Sequence, residues 1–208
     1  MTVYLACHRC DWQGALALRQ ACPACEATLR VVHDGAPPTW AAGERGVWRY
    51  RARLPIAEGV APVTLGEGGT PLLELGAIDG VRALAKVEAV NPTLSFKDRP
   101  VSVAATAARE LGAAGLLCAS TGNTAVAVAA YAARAGLPAV CVVPDGTPPA
   151  KLALAVAAGA AVLPVRGSYS DAHALAGTLA AESGWANLSS TYLNPFMLEG
   201  DKTVAFEL

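Results

Sequence analysis

The chain has 208 residues, 53% of them hydrophobic and 16% charged, with a formal net charge of -1. That composition supports a sizeable buried core in one domain or two small ones, and it excludes a disordered or fibrous protein. Near-neutral charge with interspersed signs gives no footprint for nucleic acid or an anionic membrane, so small molecules or other subunits are the partners expected.

The first residues, MTVYLACHRC, lack the basic start and long apolar run of a secretory signal, which suggests a cytoplasmic protein. Four of the six cysteines fall here, as Cys7-x-x-Cys10 and Cys22-x-x-Cys25 with eleven residues between the pairs. Two CxxC knuckles on facing turns supply four soft ligands to one point, the requirement of a closed, structural zinc site. The competing readings are two disulfides, disfavoured without an export signal, and a redox CxxC, which normally comes singly. His8 then stands beside the site as an exposed bystander. Residues 1–33 are expected to form a small zinc-ribbon-like module, and residues 34–65 a connector containing glycine and proline.

Residues 48–71 read as irregular, with glycines and prolines for turns rather than a continuous helix. The run GEGGT within them lacks the GK[ST] ending of a phosphate loop and reads as a plain turn. From residue 81 onward, apolar segments alternate in length and period. Residues 82–90 (RALAKVEAV) read as a strand, 101–115 as a helix ended by glycine, and 116–120 (LLCAS) as a buried strand. Residues 123–136 follow as a helix, 138–144 (PAVCVVP) as a strand, 151–160 as a helix, 161–165 (AVLPV) as a strand and 171–184 as a helix. Short apolar strands between helices of ten to fifteen residues define βα units, a parallel sheet and an α/β fold. The uncharged run over residues 111–133 is long enough to raise a membrane span, but STGNT interrupts it with turn chemistry. Cys118 and Cys141, in apolar strands, are expected to be buried core thiols.

Two loops are expected at carboxyl ends of strands, where α/β sheets bind ligands: NPTLSFKD, residues 91–98, and STGNT, residues 120–124. Lys97 opens a helix, where the dipole favours anions, so it is either a solvated charge or an amine used as a nucleophile. Ser120, Thr121, Gly122 and Asn123 offer hydroxyls, an amide and backbone N–H groups to an anion; the same residue types also serve as an ordinary helix cap.

In combination, NPTLSFKDRP, ASTGNTAVAVAAYAARAGL, KLALAVAAGA and LNPFMLEGDKT, with GEGGTPL upstream, resemble threonine synthase and its relatives among the pyridoxal-phosphate enzymes of the tryptophan synthase β type. The resemblance runs from residue 66 to 208 and implies the first part of that family's α/β domain. It implies that Lys97 forms the Schiff base with pyridoxal phosphate beside Phe96, and that Asn123 hydrogen-bonds the cofactor's ring hydroxyl. Ser120, Thr121, Gly122 and Thr124 would receive the carboxylate of an amino-acid substrate. The implied chemistry is elimination or replacement at Cβ or Cγ; a homo-oligomer stays open.

Three departures accompany the resemblance. The family usually reads NPTGSFKDRG, where this chain has Leu94 and Pro100. The family's asparagine, serine and arginine that bind the substrate phosphate align with Thr191, Tyr192 and Met197, and a methionine cannot replace a forked cationic donor. The family pattern also continues beyond Leu208, into the glycine-rich loop that holds the cofactor phosphate, which suggests a fragment or a truncated protein. The alternatives are therefore a paralogue with another substrate, such as a cysteate-synthase-like β-replacement enzyme, or a noncatalytic zinc-binding interaction protein.

Overall fold

The computed structural model describes residues 2–35, 39–41, 43–189 and 191–208, with the backbone alone at residue 191. Three short strands, β1 (Thr2–Cys7), β2 (Gln13–Gly14) and β3 (Leu29–Asp34), form an antiparallel sheet in the order β2-β1-β3. Leu5, Leu29 and Val31 bury together with Cys7 and Cys22 into a core of their own. Too few apolar residues lie here to hold so small a sheet by burial alone.

The segment expected to be irregular holds a 3-10 helix, Gly46–Arg53, because Val47, Trp48 and Tyr50 pack inward. Next come β4 (Leu72–Ile78) and β5 (Val81–Lys86), an antiparallel hairpin turned at Asp79 and Gly80, both with positive φ. An Asp-Gly pair suits such a two-residue turn. This corrects the reading of residues 82–90 as one strand of the parallel sheet: β5 pairs only with β4, and Glu88–Val90 is a 3-10 turn. Leu73, Ile78 and Val81 on this hairpin stay exposed.

The main sheet holds β6 (Leu116–Ala119), β7 (Ala139–Pro144), β8 (Ala161–Val165) and β9 (Ala186–Asn187), all parallel in the order β8-β7-β6-β9. Between and around them run α1 (Asp98–Glu110), α2 (Asn123–Ala135), α3 (Pro149–Ala157), α4 (Tyr169–Ser183), α5 (Pro195–Asp201) and α6 (Thr203–Phe206). Successive side chains on a strand point to opposite faces. Leu116 and Cys118 accordingly join the core built with α1, α2 and α3, whereas Leu117 and Ala119 pack against Ala172 and Ala176 of α4. Alanine at the helix contacts lets the backbones approach the sheet closely. Cys118 and Cys141 face one another across β6 and β7, fully buried as expected. No helix among the described residues is long and apolar enough to cross a membrane.

Two polar joints fix the parts around α1. Arg99, fully buried, forks onto two carboxylates: Nε and Nη2 reach Glu88 at 2.7 and 2.9 Å, and Nη1 and Nη2 reach Glu207 at 2.7 Å each. Thr70 and Thr203 each add a contact at 3.2 Å, and Lys86 meets Glu207 at 2.6 Å. The second joint is His33 on β3, whose Nε2 lies 3.3 Å from Glu199 on α5. Further along α5, a Cβ at Gly200 would stand 2.5 Å from the carbonyl oxygen of Arg99 and 2.6 Å from Pro100 Cα, so glycine alone permits this approach of α5 to α1.

Burial raises the Glu207 carboxyl, but Arg99 and Lys86 more than offset it and hold the pKa at about 2. A pKa below the unfolded value of about 4.3 gives stability that is present above that pH and lost as pH falls toward 2. Glu207→Gln should therefore lower stability to urea at neutral pH and flatten its decline between about pH 5 and 2. Arg99→Met should cost about 3–5 kcal/mol, since it strands two carboxylates. Urea titrations across that pH range check both, and an unchanged slope in Glu207→Gln would count against the joint.

Candidate active site

The loop before α1 is locked at both ends. Asn91, buried, accepts from Gly68 N at 2.9 Å and donates to the Glu88 carbonyl at 2.9 Å and carboxylate at 2.8 Å, so it leans on the Arg99 joint. At the other end Asp98 Oδ2 accepts from Thr93 N and Oγ1 at 2.9 and 3.0 Å. Asp98 is fully buried, its Oδ1 finds no hydrogen-bond partner among the described residues, and burial pushes its pKa up. Between these anchors Leu94 takes φ +63°, with its side chain 71% exposed. That is the left-handed region, which an L side chain enters at a cost and glycine enters freely. The position where the family pattern has glycine is thus held here by a leucine in a backbone state that glycine enters freely.

Lys97 follows as the N-cap of α1, half-buried, its Nζ 4.3 Å from the centroid of the Phe96 ring. Phe96 is itself 44% exposed. An exposed aromatic face carrying a cation is a surface a planar ligand can use. On α2, Tyr131 donates to the buried Glu67 at 2.8 Å, and Glu67 also accepts from Trp48 and Ser102. The GEGGT run is thus a structural turn whose glutamate stitches α1 and α2 to the 3-10 helix.

The STGNT residues open α2. Gly122 is its N-cap, with no side-chain cap hydrogen bond; Ser120 Oγ instead accepts from Gly122 N at 3.2 Å. Side chains cap α4, through a full capping box from Ser168 and Asp171, and α5, through Asn194, whereas α1, α3 and α6 lack a side-chain cap as α2 does. The first N–H groups of α2 therefore stay available, and the helix dipole directs them toward an anion.

Strand order places this helix start. The chain runs outward from β6 to β7 to β8, then returns to set β9 on the other side of β6. Open α/β sheets bind ligands at such a reversal, outside the carboxyl ends of the strands. The loops after β6 and β9 meet there, joined by Ala119 N donating to Ser189 Oγ at 2.8 Å. Tyr192, in the loop after β9, is 67% exposed and lines an open cleft with Tyr169 and His173. The Thr191 side chain lies outside the described residues. Met197 is wholly buried in the main core. The Lys97 loop does not follow a strand of the parallel sheet, as its sequence suggested; the hairpin and the Arg99 joint position it instead.

At the N-terminal sheet the sulfurs of Cys7, Cys10, Cys22 and Cys25 lie within 4.8 Å of one another. Cys7 and Cys25 are 3.5 Å apart, and Cys10 and Cys22 are 3.7 Å apart. A tetrahedron with bonds of about 2.3 Å needs edges of roughly 3.8 Å. Backbone N–H groups of Arg9 and Cys10 point at Cys7 Sγ, and that of Ala24 points at Cys22 Sγ. The Ala27 N–H and the neighbouring thiols hold Cys25 down at about 6. Cys10, favoured as thiolate by the Trp12 N–H, is still pushed up to about 12 by Cys25, by burial and by the other thiols. Four sulfurs this close ionise together only against a cation.

With this arrangement in hand, sequence comparison gives the class: residues 63–208 match the pyridoxal-phosphate dependent enzyme family, and the chain belongs to it. Among individual relatives, it is 45% identical to the threonine synthase of Methanosarcina acetivorans over 167 residues, 78% of this chain and 40% of that protein. It is 45% identical to the threonine synthase of Mycobacterium tuberculosis over 163 residues, 76% of this chain and 45% of that one. The chain thus spans less than half the length of these relatives. Among solved structures, maize serine racemase superposes with a TM-score of 0.59 at 26% identity, over 66% of this chain and 43% of that one. A diaminopropionate ammonia lyase from Escherichia coli, 21% identical with a TM-score of 0.61 over 69% of this chain and 44% of that one, shares the fold.

Asp98, Asn91 and Ser189, which brace the loops that carry the candidate residues, escaped the sequence reading. The signal for the first two was their flanking of the NPTLSFKD loop. Leu94→Gly should relieve the left-handed strain and raise stability by about 0.5–1 kcal/mol after glycine's entropy loss. Leu94→Ala, which keeps a Cβ, should bring no gain. Urea unfolding of the two variants separates them, and a loss in Leu94→Gly would refute the strain.

Proposed function

We propose that this chain carries the lysine and the substrate-carboxylate loop of a pyridoxal-phosphate-dependent lyase or synthase of the threonine synthase type. The observation that carries the reading is the place of the α2 start, which no side chain caps, at the strand-order reversal outside the carboxyl end of β6. Family membership supplies the cofactor. Pyridoxal phosphate, when bound, supplies an electron sink for charge developing at the substrate's α-carbon.

Lys97 would hold the cofactor covalently, and its amine would serve as the base toward the substrate's α-carbon. Phe96 lies against it, and Asn123 would hold the cofactor's ring hydroxyl through its amide. Ser120, Thr121, Gly122 and Thr124 surround the N–H groups that hold the substrate carboxylate. Thr191 and Tyr192 contribute hydroxyls on the leaving-group side. Asp98 and Asn91 act through the loop they brace and so position Lys97.

A second reading, an amino acid without a γ-phosphate, is favoured by Met197. The family's arginine has its counterpart in a side chain that is fully buried in the core and reaches no ligand. We further assign a structural zinc to Cys7, Cys10, Cys22 and Cys25, in a reduced, cytoplasmic protein consistent with six free thiols.

Borohydride reduction after loading with pyridoxal phosphate should trap an adduct on the protein, and Lys97→Ala should abolish it; an adduct that survives the substitution would sink the assignment. Phosphate release from O-phosphohomoserine, compared with O-phosphoserine and serine, separates the two substrate readings. Metal analysis should find one zinc per chain, lost in Cys22→Ser together with a fall in melting temperature. An unchanged metal content in that variant would refute the site.

A further inference from the structure

Away from the active site, a cavity of about 340 Å³ opens between the thiol-bearing sheet and the main domain. That volume lies in the range of small-molecule sites. Its walls are apolar, with Leu18 from one side and Trp185, Phe196, Ala180 and Gly177 from the other. Trp185 is held rigidly: a Cβ on Gly115 would lie 2.8 Å from its ring, so the indole rests on bare backbone. Arg19 is the one charged residue among those lining the cavity.

Gly177 gives the second observation. It sits inside α4, where glycine costs about 1 kcal/mol relative to alanine. A helix normally keeps such a glycine because a neighbour crowds it, yet no heavy atom lies within 4 Å of a Cβ built there. Gly177 is exposed, and the open space beside it is the mouth of the cavity.

The polar side of the cavity is partly committed. Gln20 and Asn194 both donate to the Asn187 carbonyl, at 2.6 and 3.0 Å. Asn187 Oδ1 in turn accepts from Ser189, the residue that receives Ala119 N at the strand-order reversal. An occupant then has apolar walls for its body and, for its charge, the exposed Arg19, whose guanidinium lies 5.7 Å over the Trp12 ring with donors still open.

We propose that this cavity is a binding site for a small anionic amphiphile, an aromatic or branched apolar body bearing a carboxylate, separate from the Lys97 site. Its occupant rests against the Asn187–Ser189 link and so reaches the loop that carries Tyr192.

Calorimetric titration of the intact chain with 3-phenylpropionate tests this. Saturable one-to-one binding is expected, about tenfold weaker for 3-phenylpropanamide and for Arg19→Met, the worth of one charge-assisted hydrogen bond. Gly177→Leu, which fills the space and favours the helix, should abolish binding while raising the melting temperature. Ala181→Leu on the same wall serves as the second filling variant. Lys97→Ala should bind as the parent does, whether or not the cofactor assignment holds. Absence of saturation, undiminished binding in both filling variants, indifference to Arg19→Met, or loss of binding in Lys97→Ala would each overturn the proposal.

Discussion

The two-sided fork of Arg99 onto Glu88 and Glu207 is the constraint on which the rest of the structure leans. A fully buried guanidinium is tolerable only when its donors are met, and here two carboxylates and two threonine hydroxyls meet them. Those partners come from separate parts of the chain: the turn after the hairpin, the glycine-rich turn, and the helix at the end of the chain. Arg99 lies two residues beyond Lys97, so an ionic joint that assembles distant segments also fixes where the lysine starts its helix. Geometric specificity is the plainest use of such a pair, since its net contribution to stability is offset by desolvation.

Around that joint the helix starts are met in two ways: side chains cap α4 and α5, and none caps α1, α2, α3 or α6. At α4 and α5 the exposed N–H groups are satisfied by Ser168, Asp171 and Asn194. At α2 the chain offers serine, threonine and asparagine, all good capping residues, and does not use them as a cap. A site of this kind is built by withholding a local interaction that the sequence could have made.

The α/β class was legible because the strands after residue 115 are short, apolar and separated by alanine-rich helices, a period that burial alone enforces. The hairpin was misjudged for an equally physical reason. Residues 82–86 are apolar enough to pass for a buried strand, while the Asp79-Gly80 turn that makes them antiparallel occupies only two residues. Lys97, the STGNT run and the thiol spacing were legible because their chemistry is written in adjacent residues. Asp98, Asn91 and Ser189 were not, because their roles depend on partners brought near by folding. Leu94 was noticed as a departure from a pattern, but its positive φ belongs to the backbone and cannot be read from the residue type.

The His33–Glu199 pair joins β3 to α5, and α5 rests through Gly200 on Arg99 and Pro100 at the start of α1. A chain of direct contacts therefore runs from the four thiols to the lysine loop, with no flexible linker along it. Segments so connected should exchange their amide protons as one foldon rather than opening separately. The sheet of cysteines is then no appendage: loosening it loosens the floor on which Lys97 stands.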